Sequence, residues 1–143
     1  MIEGHINRAK HNENFVKDCE IQLPGQYLDW KTTANFYCAL HLFRAFLKKK
    51  DFKEEIESHD QLVALFNTKR NGGRPPFQIK QHVWQAYCDL RKISEAARYS
   101  LLYNEELELA MQADEFISSS LKLAQVKQYF SQFGISTETE AAA

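Results

Sequence analysis

Five stretches of helical periodicity, breaks rich in Gly, Pro or Asn between them, and no convincing strand alternation predict an all-α protein, a compact bundle of about five helices. The 143 residues, 13% of them aromatic, suffice for one packed core. No internal repeat or long linker divides the chain. Residues 1–134 are therefore expected to form a single helical domain. Residues 135–143, polar and then plain alanine, are expected to be a disordered tail.

The first helix is expected over residues 2–20, with Ile2, Ile6, Phe15 and Cys19 as sparse apolar points and a solvated face carrying His5, Arg8 and His11. Leu23-Pro24-Gly25 breaks it. The second helix, over residues 29–50, organises the chain. Asp29 suits an N-cap and the three lysines at 48–50 suit the negative C-terminal end. On a helical wheel Phe36, Leu40, Phe43 and Leu47 share one apolar face. Beside it runs a stripe of Trp30, Ala34, Tyr37, His41 and Arg44. Burying the first face half-buries the second, so an imidazole, a guanidinium and a phenol meet at a core edge.

Ser58-His59-Asp60-Gln61 has the form of a capping box opening a third helix. His59 takes its first position, where the positive helix end disfavours protonation. The loop over residues 68–77, TKRNGGRPPF, is basic; Lys69, Arg70 and Arg74 make it a local candidate for touching a polyanion. Its two glycines lack the spacing of a phosphate-binding loop. The fourth helix, over residues 78–99, pairs an apolar line (Ile79, Val83, Ala86, Leu90, Ile93, Ala97) with a stripe of Trp84, Tyr87, Arg91, Ser94 and Arg98. Asn104 caps a fifth helix, expected to bury Leu109, Ala113, Phe116, Ile117, Leu121 and Ala124 and to end near Gly134.

With 18 basic against 19 acidic residues, a wholesale coating of nucleic acid is excluded, and any such binding must be local. Cys19, Cys38 and Cys88 match neither a disulfide framework nor a metal-ligand spacing, and read as reduced thiols. The polar start and the lack of a long apolar run point to a soluble, cytoplasmic protein with no membrane partner. No metal and no cofactor is expected.

Trp30-x6-Tyr37-x3-His41, then Ser58-His59, then Tyr87-x2-Leu90-x3-Ser94-x2-Ala97-Arg98-Tyr99 resembles the HEPN superfamily of small helical bundles, over residues 25–125. The resemblance implies a dimeric four- or five-helix fold. It also implies metal-independent ribonucleases or nucleotide-binding partners in toxin–antitoxin, phage-defence and RNA-processing systems. The family's catalytic signature is Arg, four to six residues, then His, and this chain lacks it. Arg8 precedes His11 by three positions, Arg74 precedes His82 by eight, and no His follows Arg98.

Two functions compete. As a binding module, the chain takes RNA, a nucleotide or a cognate protein as partner, most simply as a homodimer. Its composite polar site lies on the second to fourth helices. As a metal-independent ribonuclease, it would use His41 and His59 as base and acid and Arg98 to hold the phosphate. In either case Tyr37, Arg44, Tyr87, Arg91, Ser94 and Tyr99 bind or orient. A third reading is purely structural or dimerising: buried His and Arg must be satisfied, and the same groups then lock the helix packing.

Overall fold

The second helix has neighbours on three sides, and the rest of the molecule is arranged by that fact. The computed structural model describes residues 2–52, 56, 58–66, 78–99 and 105–138, with the backbone alone at 99 and 105–111. Every regular element among them is an α-helix: α1 (Ile2–Gln22), α2 (Leu28–Lys49), α3 (His59–Phe66), α4 (Gln81–Tyr99) and α5 (Glu105–Ser131). The predicted five-helix bundle is what forms. α2 packs on α1, α4 and α5, and α4 packs on α5. None of the described helices is long and apolar enough to cross a membrane.

α2 buries its expected face and most of the opposite one. Phe36, Leu40, Phe43 and Leu47 are buried, and so are Cys38, Ala39, Leu42 and Phe46. Phe43 sits at the centre, its ring edge-on to Phe66 of α3, Trp84 of α4 and Phe130 of α5. Such edge-to-face contacts set the rings' positive rims against neighbouring faces. The start of α2 differs from expectation. The N-cap is Tyr27 in a left-handed conformation (φ 54°), with no side-chain cap bond, and Asp29 lies in the first turn. There it still complements the helix dipole. At the far end Phe52 N donates to the Leu47 carbonyl and Asp51 N to the Lys48 carbonyl. This is a Schellman closure with Asp51 (φ 61°) where glycine is usual.

α1 docks along a seam of Ile2, Ile6, Ala9, Glu13, Val16 and Glu20, at helical spacing. Phe15, expected among its apolar points, is exposed. Two carboxylates on the seam explain why hydrophobicity conceals it. Buried Glu13 accepts from Lys17, from Lys127 of α5 and from Thr137. Glu20 pairs with Lys31, a lysine of α2 with 0% exposure that also donates to the Leu23 carbonyl at 2.8 Å.

α5 is rotated from the expected register. Ile117 and Leu121 are 59% and 63% exposed, and the buried line is Ser119, Leu123, Val126 and Phe130. A polar contact accompanies that rotation. Asn35, buried on α2, donates to Ser119 Oγ at 3.0 Å and Ser120 Oγ at 3.3 Å. Facing α5's Ile117–Leu121 edge inward would leave that amide without partners.

The segment after α5 starts as structure. Gly134 (φ 76°) closes the helix, with Ile135 N donating to the Phe130 carbonyl and Gly134 N to the Ser131 carbonyl. This turn drops Ile135 into the core and brings Thr137 to Glu13. Residues 135–138 thus depart from the expected disordered tail. The loop over 68–77 with Lys69, Arg70 and Arg74, the Asn104 cap and residues 139–143 lie outside the described residues.

Candidate functional site

His59 is delivered by a local device. Gln61 N donates to Ser58 Oγ (3.3 Å) and Ser58 N to Gln61 Oε1 (3.2 Å), the reciprocal pair of a capping box. This fixes His59 at the first turn of an eight-residue helix. Its Nδ1 lies 2.8 Å from the Tyr87 hydroxyl, and the two rings stack at 5.5 Å. Tyr87 is wholly buried between Phe43 and Trp84. Burial pushes its pKa far up, so it stays a hydroxyl. Burial, then Arg91, lowers the His59 pKa, against Asp60 and Glu95. The direction is the one expected from its place at a helix start, and burial is the main cause.

His41 is held by a residue the sequence reading had assigned to solvent. His5 of α1 is half-buried, and its Nδ1 is 3.2 Å from His41 Nδ1, with ring centroids 5.5 Å apart. One ring must donate and the other accept. Burial, then Arg44, His5 and Arg8, brings the His41 pKa down to about 4. A helical wheel of α1 places His5 at the rim of the Ile2–Ile6–Ala9 seam, and that was the available signal.

Arg44 is the link between these two pairs. Its charge acts on His41 and on the Tyr87 hydroxyl alike. Its side chain is half-buried, and its Nε is buried with no hydrogen-bond partner among the described residues. Tyr37, 38% exposed, stands one turn before His41 on the same stripe and also acts on Tyr87. On the α4 side, a cavity of about 260 Å³ is lined by His59, Trp84, Cys88, Arg91 and Lys92, among others. Arg91 bonds Glu95 at 3.2 Å.

Tyr37, Arg44, Tyr87, His59 and Arg91 therefore share one neighbourhood, and His41 joins it through Arg44. Arg98 does not: its Nε donates to the Ser94 carbonyl of its own helix at 3.3 Å, and it is among the charges acting on neither histidine. Ser94 is buried, its Oγ without a hydrogen-bond partner among the described residues. Tyr99 closes α4 and its side chain lies outside the described residues. Of the two stripe tryptophans, Trp84 is buried, whereas Trp30 is 57% exposed. Cys38, fully buried, has its pKa raised to about 12 by burial, then Glu13, which removes it as a nucleophile.

Chemically, the arrangement is a set of donors and cations in search of negative charge. A buried guanidinium N–H without a partner costs about 1–3 kcal/mol, and an arginine so placed is pre-set for a bidentate acceptor such as phosphate. Among the described residues, no three His, Cys, Asp or Glu side chains gather to hold a metal. No known protein family, no curated protein and no solved structure matches the chain.

Proposed function

We propose that this chain is a HEPN-like helical module that binds RNA or a nucleotide through phosphate, with Arg44 as the anchor. One observation carries the reading: the Arg44 Nε is buried and unpartnered, in a guanidinium within electrostatic reach of both the His5–His41 and the His59–Tyr87 pair. Arg91 and Lys92 supply further positive charge beside the α3–α4 cavity. Exposed Tyr37 and Trp30 on the same stripe offer faces on which bases can stack. Homodimerisation, a cognate protein partner, and a setting in toxin–antitoxin, defence or RNA-processing systems belong to the same proposal. They rest on the motif resemblance.

The binding reading is favoured over the ribonuclease because the two candidate histidines are engaged separately, His41 by His5 and His59 by Tyr87. Both also have lowered basicity. A base and acid flanking one phosphate would need to converge on it.

The test is titration of a labelled RNA oligonucleotide and of a mononucleotide by fluorescence anisotropy, in EDTA. Arg44→Ala is expected to weaken binding about tenfold to a hundredfold, the loss of one charged hydrogen-bonding group. Arg44→Lys should recover only part of it, since a point charge lacks the planar fork. Arg44→Met should meanwhile raise the thermal midpoint, because an unpaired buried donor is removed. Undiminished binding by Arg44→Ala would overturn the proposal. RNA cleavage in EDTA that is lost in His41→Ala and His59→Ala would return the ribonuclease.

A further inference from the structure

The His5–His41 pair is the one place among the described residues where two imidazoles share a hydrogen bond, and it lies against the proposed anchor. We propose that the pair couples anion binding to proton uptake: an anion held by Arg44 is accompanied by one proton from solvent, taken onto the His5–His41 pair. This rests on the anion site proposed above and adds its regulation.

The geometry sets the stoichiometry. With Nδ1 atoms 3.2 Å apart, two neutral rings hold one proton in the bridge and one on an outer nitrogen. A third proton goes to the remaining outer nitrogen. The bridge survives and becomes a charge-assisted bond, and the pair carries one positive charge. A fourth would replace the bridging lone pair with N–H and set two cations against each other across the α1–α2 seam. The pair therefore accepts one added proton.

The surroundings of His41 oppose that proton without a ligand. The charged groups that act on His41 are Arg44 on its own helix and His5 and Arg8 on α1, all basic. Among the described residues, none is supplied by α4 or α5. Together with burial they hold His41 down to about 4. An anion on Arg44 cancels the largest of those opposing charges and adds an attractive one. By linkage, whatever raises proton affinity on binding makes binding tighter as pH falls.

The experiment uses sulfate, whose charge is constant in this pH range, titrated calorimetrically into the full chain from about pH 7.5 down to about pH 5.5. Sulfate is expected to bind about threefold to tenfold tighter at the acid end, with uptake of up to one proton read from buffers of different ionisation heat. In the double variant His5→Phe/His41→Phe the slope should vanish. Imidazole 15N NMR of the unaltered chain identifies the ring that takes the proton, even if that variant does not fold. Binding with no pH slope, or a slope that survives in the folded variant or titrates on His59, overturns the coupling and leaves the anion site standing. No sulfate binding at any pH overturns both.

Discussion

A carboxylate and an imidazole on α1's inner side govern how the free protein responds to acid. Burial would raise the Glu13 pKa, but hydrogen bonds from Lys17, Thr137 and Lys127 outweigh it and bring the group down to about 2 from 4.5. Stability from Glu13 is thus full above about pH 4.5 and is lost as pH falls toward 2. His41, lowered to about 4 from 6.5, works in a higher window: the unfolded chain takes a proton that the folded chain resists. Stability therefore falls as pH drops from about 6.5 toward 4. Thermal midpoints followed by circular dichroism across this range should decline in both windows. Glu13→Gln should flatten the lower one and His41→Phe the upper. Declines unchanged in both variants would mean that other groups govern acid unfolding. His5 was read as solvated and Glu13 passed over because their contacts come from other elements, and helix periodicity scores a polar residue as outward.

At the level of the element, α3 and α5 show opposite relations to their sequences. Ser58 and Gln61 satisfy each other within one turn, so the start of α3 could be read directly. α5 offers apolar residues on two sides, and its periodicity alone does not say which side is inner. Asn35 shares its amide with Ser119 and Ser120 and so selects a face that hydrophobicity would pass over. Leu121→Gln is expected to change stability by less than about 0.5 kcal/mol, as at an exposed site. Phe130→Ala, which empties the space against Phe43 and Phe46, should cost about 3–5 kcal/mol. Urea unfolding distinguishes them, and a costly Leu121→Gln would mean that a second surface covers this edge.

For the whole molecule, the segment after α5 closes the bundle. Gly134 turns the chain so that Ile135 enters the core and Thr137 bonds Glu13, joining the segment to α1. A chain ending at Gly134 is expected to lose about 2–5 kcal/mol, chiefly the buried Ile135 side chain together with the Thr137 bond. Chemical denaturation of the shortened chain measures it, and a loss under about 1 kcal/mol would show that residues 135–138 do not hold the fold. The Arg44 neighbourhood is likewise a property of the whole, assembled from α1, α2, α3 and α4. His41, His59 and the tyrosines could be named in advance because they lie on apolar-edge stripes of α2 and α4 or at a cap. The choice of Arg44 over Arg98 could not be.

The sequence by itself determined the five helices, their all-α packing, the cap that presents His59 and the stripe that carries Tyr37, His41 and Arg44. Each of these follows from spacings within one helix or one turn. Only the tertiary structure decided that His5 meets His41, that Tyr87 meets His59, and that α5 turns Ile117 and Leu121 outward. It also decided that Arg98 bonds its own helix while Arg44 keeps a buried, unpartnered Nε. The physical reason is that polar partners across helices are chosen by burial and rotation about the helix axis. A single helix's periodicity does not encode either.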